Sequence, residues 1–194
     1  MKKSQLGKSQ LGPTNVPLRD PEIQALLDKQ ALYELAIRYA RGIDRRDREL
    51  LLSVYHEDAI DRHGTMFEGS PLEFANWQPE VMAPFEVTAH YMMNTAYRID
   101  GNKAEGELHF VAYHRLKGGD AKEVLIGGRY LDRYERRNNE WKIADRTLVW
   151  DFAHSNPVDL EQFSFLKSLG NLGGGANDIS SEVLSLFSTK SQGK

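Results

Sequence analysis

An aspartate occupies a position that the surrounding pattern reserves for an apolar side chain. In the stretch "YARGIDRRD" (39–47), one row of residues recurs every four positions: Ile23, Leu27, Ala31, Leu35, Tyr39 and Ile43. Beside it runs a second row, Leu32, Ala36 and Ala40, whose next member is Asp44. Rows at i, i+4 lie on one face of a helix, so Asp44 continues an apolar stripe toward the interior. A carboxylate there needs a partner or a chemical role, unless it merely caps the helix that follows. Other reactive types fall in alternating segments. Asp61 and His63 point to one side of theirs, and Asn94 shares parity with His90 and Met92. His109, Val111 and Tyr113 form another set, as do Gly128, Tyr130 and Asp132. Arg146 has the parity of Ala144, Leu148 and Trp150, which suggests a polar group lining an apolar pocket, or one pairing with Asp44 or Asp61. A minority reading has His63, His90 and either His109 or His114 converge with Asp61 on iron or zinc, but no compact signature such as H-E-x-x-H is present.

The elements that must position these residues follow from periodicity. A long helix spans about 21–43, and Gly42 weakens its last turn. Asp47 caps a short helix, "RELLLSVYH". "DAIDRHG" is a short strand and "TMFEG" turns it back. "SPLEF" carries Ser70 at the N-cap, Pro71 at the first helical position and Glu73 two residues later, a capping box that starts a third helix. From residue 86 the period becomes two. Strands are predicted at 86–99, 103–117, 121–137 and 140–152, separated by "DGN", "GGD" and "NNE". Loops this short make the four strands antiparallel. Gly127 and Gly128 mark a bulge or bend that curls the sheet. The order predicts an α+β fold: a cone in which a curved antiparallel sheet wraps around the N-terminal helices, closed at one end and open as a pocket at the other.

The chain of 194 residues is long enough for one domain with a substantial core. It divides into a flexible arm at 1–20, which holds the tandem repeat "KSQLGKSQLG", a domain at 21–153 and an extension at 154–194. The extension includes a short helix at 158–169 and an amphipathic "ISSEVLSLF". A net charge of -3 with no basic cluster gives no nucleic-acid footprint. The absence of cysteine excludes disulfides, thiolate catalysis and cysteine metal sites. No apolar run approaches the ~20 residues of a membrane span, and the cationic N-terminus lacks the apolar core of a secretory signal. The cytoplasm is the expected location.

The order of motifs resembles the SnoaL-like branch of the NTF2-like superfamily over roughly residues 21–153. The matching stretches are "YARGID" closing the first helix, "DAID" opening the first strand, "EVTAHYMMN" in the first long strand, and "GGRYLDRYERRNNEWKIADR" near the end. The resemblance implies that Asp44 pairs with His90, that Arg146 lines the pocket, and that Tyr39 takes part as in some dehydratases of the family. Each also has a plain structural reading: Tyr39 as core, His90 as a satisfied core histidine, Arg146 as a structural ion pair. Second-rank lining residues are Asp61, His63, Asn94 and Tyr113, with Tyr130 and Trp150 also set among the substrate-binding residues and Trp77, Phe85, Met92 and Met93 supplying an apolar, aromatic-friendly wall.

A carboxylate that holds an imidazole in one tautomer makes a workable general base, worth ~10²–10⁴ in rate. Tyr39 would help a hydroxyl depart and Arg146 would stabilise a phenolate or oxyanion. This chemistry requires no metal or organic cofactor. The family resemblance therefore implies a cofactor-independent lyase, of dehydratase or deformylating type, acting on a small hydroxylated aromatic substrate. The specific expectation is a lignin-derived diarylpropane dimer converted to a stilbene and formaldehyde. The alternative is a non-catalytic small-molecule-binding or assembly module. The long sheet face predicts a homodimer or homotrimer.

Overall fold

The computed structural model describes residues 21–118, 122–159 and 178–184. The arm at 1–20, the helix at 158–169 and most of the C-terminal extension lie outside the described residues.

Helix α1 (Pro21–Arg45) buries Leu32, Leu35, Ala36, Tyr39, Ala40 and Ile43, and Asp44 with them. It ends two residues beyond its predicted limit. Arg46 adopts φ 56°, and the amides of Arg46 and Asp47 return to the carbonyls of Ile43 and Gly42 at 3.3 and 2.9 Å. This is the Schellman closure, with arginine where glycine is usual. Gly42 serves a different purpose from helix termination. A Cβ there would stand 3.0 Å from the Leu51 backbone nitrogen, so its absence lets α2 (Arg48–Ser53) approach α1 closely. The Asp47 side chain caps α2 by accepting from the Leu50 amide at 2.9 Å. Strands β1 (Tyr55–His63) and β2 (Phe67–Gly69) form a hairpin. Helix α3 (Pro71–Met82) begins with the full Ser70/Glu73 capping box and proline in its first turn.

Four long strands follow: β3 (Phe85–Asp100), β4 (Lys103–Leu116), β5 (Lys122–Arg137) and β6 (Glu140–Pro157). They pair as an antiparallel meander in one six-stranded sheet of order β2-β1-β6-β5-β4-β3. The sheet is mixed and not purely antiparallel as expected, because β1 joins β6 in parallel, with Asp61 opposite Arg146. Loop lengths fix the orientation of consecutive strands. They say nothing of β1 and β6, which are separated by most of the chain. A short helix, α4 (Ser180–Val183), touches the end of α1 through Arg41 Nη2 to Ser180 Oγ at 3.2 Å and Arg45 to Asp178 at 3.2 Å.

Three irregularities decide which side chains face the helices. One extra residue in β3, between Met92 and Thr95, switches the inward parity from even (Thr88, His90, Met92) to odd (Tyr97, Ile99). Two more sit in β6. One faces the Arg133–Tyr134 step, and the other faces the Gly127–Gly128 step, where a bulge was expected from the glycines. The core lies between α1, α3 and the concave face, around Leu35, Tyr39, Phe74, Leu108, Tyr130 and Ile143.

Candidate active site

Asp44 sits at the inward edge of the last turn of α1, opposite His90 on β3. Its Oδ1 lies 2.7 Å from His90 Nδ1, and its Oδ2 accepts the backbone N–H of the same residue at 2.8 Å. Capping of α2 falls to Asp47, so Asp44 is left for this pairing. Burial alone would raise the Asp44 pKa. The hydrogen bonds and charge of His90, with Arg45 alongside, outweigh burial and hold the carboxyl below its usual value. With Nδ1 donating to the carboxylate, Nε2 is the ring nitrogen able to take a proton.

His114 stands edge-on to His90, ring centroids 5.5 Å apart, and packs against Phe85 at 4.7 Å. Burial, and then the neighbouring His90, push its pKa down to about 4. It is therefore uncharged near neutral pH and does not repel an imidazolium forming at His90. Arg46, held by its left-handed backbone, donates to the Ile43 carbonyl and to Thr88 Oγ1 at 3.1 Å. Its charge thus stays beside Asp44.

A second buried network lies farther along the concave face. Arg146 is fully enclosed and forms a two-pronged pair with Asp132, Nε to Oδ1 at 2.8 Å and Nη2 to Oδ2 at 2.7 Å. Its guanidinium carbon is 4.2 Å from the ring centres of both Tyr39 and Tyr130. Tyr134 also donates to Asp132, at 2.7 Å. On β1, Tyr55 donates to Asp61, and His63 Nδ1 comes within 2.6 Å of Asp61 Oδ1, off the line a hydrogen bond needs. The His63 ring stacks on Phe74 at 5.0 Å and lies near Trp77.

The structure thus brings Asp44 and His90 into contact, and it pairs Arg146 with Asp132 in place of the two carboxylates considered for it, Asp44 and Asp61, although Asp61 lies opposite it in the β1–β6 register. Tyr39 is 2% exposed, packed among Tyr55, Phe74, Tyr130 and Arg146. Burial and its phenol neighbours raise its pKa well above the ordinary value, so it remains a protonated donor. Asp61, His63, Trp77, Met92 and Tyr130 belong to the inner side. Two expected lining residues do not. Tyr113 pairs with Ala89 and Leu125 on the opposite face, because the inward parity of β4 is even: Leu108, Phe110, Ala112, His114. Asn94 is exposed within the β3 bulge, where alternation breaks. Trp150 shares the inner register with Gly128 but is 67% exposed, on the stretch of β6 beyond its pairing with β1. His109 lies on the outer face beside Glu107, and among the described residues no three His, Cys, Asp or Glu side chains are grouped to hold a metal. Sequence reasoning offered His114 only as a metal ligand and Asp132 only as a member of an alternating row, and neither of them as the dyad's neighbour or the partner of Arg146. The row Leu108, Phe110, Ala112 leads to the first, and the row Tyr130, Tyr134 brackets the second.

Residues 24–147 match the family described as SnoaL-like domain. Hexachlorocyclohexane dehydrochlorinase 1 of Sphingobium indicum is 28% identical over 130 residues, covering 63% of this chain and 81% of the relative. An uncharacterised protein of Mycobacterium tuberculosis is 26% identical over 128 residues, covering 64% and 86%. Among solved structures, a scytalone dehydratase-like protein of Novosphingobium aromaticivorans superposes with a TM-score of 0.64 at 18% identity, covering 71% and 93%. No helix among the described residues is long and apolar enough to cross a membrane.

Proposed function

The chain belongs to the SnoaL-like domain family, and from that premise we propose that it is a cofactor-independent lyase whose base is His90 held by Asp44. The observation that carries this reading is the double engagement of His90 by one buried carboxylate, at 2.7 and 2.8 Å. A carboxylate bound to both ring and backbone fixes the imidazole's tautomer and direction, and stabilises the imidazolium that forms when Nε2 takes a proton. A positioned base of this kind contributes ~10²–10⁴ in rate. Proton removal from carbon also needs a departing group or an electron sink. The chain's relation to a dehydrochlorinase supports elimination as the reaction type.

The substrate class we propose is a small hydroxylated aromatic compound. The inner wall supports it, with Phe67, Phe74, Trp77, Phe110 and Tyr130 in ring-to-ring contact. The first compound to try is a diarylpropane bearing a hydroxymethyl group. His90 would take the proton of that alcohol, the carbon–carbon bond would break to release formaldehyde, and the electrons would expel a benzylic hydroxyl to leave a stilbene.

The test is an assay of purified, chelator-treated protein on diarylpropanes, hydroxylated steroids and small ketones, following conjugated absorbance and formaldehyde together. His90→Ala and Asp44→Asn are run alongside. Turnover in the native protein that both folded variants lose supports the lyase. Turnover only on adding iron or zinc overturns the cofactor-independent reading. Absence of turnover, with ligand-induced melting shifts intact, favours a binding module.

A further inference from the structure

The Asp44–His90 dyad is not the molecule's sole carboxylate-backed histidine. His63 brings Nδ1 within 2.6 Å of Asp61 Oδ1, out of line for a hydrogen bond but close enough for charge to act, and its Nε2 lies on the other side of the ring. The two residues lie two positions apart on β1, and Asp61 sits opposite Arg146 across the parallel pairing with β6. Asp61 and Arg146 are sealed at 0% exposure, whereas the His63 side chain is 15% exposed and is the member a ligand can reach. Within this cluster Asp61 Oδ1 and His63 Nδ1 have only each other, and Arg146 Nη1 is buried without a hydrogen bond among the described residues. Buried polar atoms are nearly always partnered, so the free Arg146 Nη1 beside this pair marks a place the chain itself leaves unsatisfied.

We propose that His63, backed by Asp61, forms a second ligand-binding subsite that receives the hydroxyl of a phenol ring through His63 Nε2. The proposal rests on the reading of the site as one for hydroxylated aromatics and names the end of the ligand opposite the dyad. Charge selects the ligand. A carboxylate would meet Asp61 and Asp132, and an ammonium would meet Arg146. A neutral hydroxyl meets neither objection and both donates and accepts. Shape selects the ring, because His63 stacks on Phe74 with Trp77 tilted beside it. Helix α1 sets the span. Tyr39 covers Arg146 at this end and Asp44 stands at the other, five residues on, which is about 7.5 Å along a helix axis.

The probe is 4-ethylphenol, with ethylbenzene as the hydroxyl-free control, followed by ¹⁵N NMR of histidine-labelled protein. The His63 signals are assigned by their loss in His63→Phe, a change that keeps an aromatic ring against Phe74. The expected result is that 4-ethylphenol moves the His63 ring nitrogens and ethylbenzene does not, in the native protein and equally in Asp44→Asn. The phenol should also bind His63→Phe about tenfold more weakly, the worth of one hydrogen bond. Unmoved His63 signals, or a shift confined to His90, overturn the subsite. Because the Asp44→Asn protein is used, this result is independent of turnover: a failed lyase reading leaves it standing, and a failed subsite leaves the dyad untouched.

Discussion

Asp44 grips His90 at two points, ring and backbone, and so couples the end of α1 to the middle of β3. Asn at position 44 can still accept the His90 amide but cannot carry the charge that stabilises an imidazolium. Asp44→Asn should therefore keep its fold, with a melting temperature within a few degrees of the native protein, and lose ~10²–10⁴ in kcat. Circular dichroism melting beside turnover on the same preparation checks both halves. A large fall in stability with activity retained would make the pair structural.

His114 gives a pH dependence of known sign. Its unfolded pKa is about 6.5 and its folded pKa is about 4. The unfolded chain binds a proton in this interval that the folded chain refuses. The stabilisation is complete above pH 6.5 and is lost as pH falls from 6.5 to 4, by about 3 kcal/mol. Asp44, whose folded pKa is lowered, adds a separate loss below pH ~4. Urea unfolding at pH 7.5 and pH 5 measures the first effect. In His114→Phe, which keeps a ring against Phe85, the difference between the two pH values should shrink. An unchanged difference would assign the slope to another group.

Much of this architecture is legible in the sequence where signals are local. The Ser70-Pro71-Glu73 start of α3, the Asp47 cap and the breaks between β3, β4, β5 and β6 need only neighbouring residues, and they fall where expected. Asp44 announces itself by breaking an apolar row. What was illegible depends on which strand face is concave and on where alternation slips. Tyr113 and His114 are adjacent, and β4 offers two rows, Leu108–Phe110–Ala112–His114 and His109–Val111–Tyr113, of which the structure turns the first inward. A bulge at 92–95 removes Asn94 from the row that strict alternation would give it with His90. Arg146 was correctly read as an arginine on an inward row, but its partner Asp132 lies on the neighbouring strand in a register that sequence does not print.

That partnership makes a strong stability prediction. Removing one member of a fully buried ion pair leaves the other uncompensated, at a cost of about 3–5 kcal/mol. Arg146→Met should show this loss, since Asp132 is 3% exposed and has only Tyr134 as a further hydrogen-bond donor among the described residues. Adding Asp132→Asn removes the stranded charge and should restore part of the stability, giving a coupling energy of about 1–3 kcal/mol in a double-mutant cycle. Denaturant midpoints of the four proteins measure it. Additive losses would mean that the pair is not coupled.

Gly128 tests the register of β5 on β6, on which the concave face depends. It lies between Phe110 and Trp150 in the pairing, and a Cβ at this position would fall 2.3 Å from the Val149 carbonyl oxygen and 3.0 Å from both Phe110 Cε1 and the Trp150 Cα. Two of these atoms are backbone and cannot swing aside, so the strand itself must move. Gly128→Ala should destabilise by about 1–3 kcal/mol, the usual cost of overpacking, although alanine is otherwise the smallest possible change. It should also weaken binding of aromatic ligands, since the added methyl enters the inner face beside Phe110. Urea unfolding and ligand-induced melting shifts read the two effects separately. A variant as stable as the native protein would show that the extra residue of β6 lies elsewhere, and that Trp150 does not share the face of Tyr130 and Phe110.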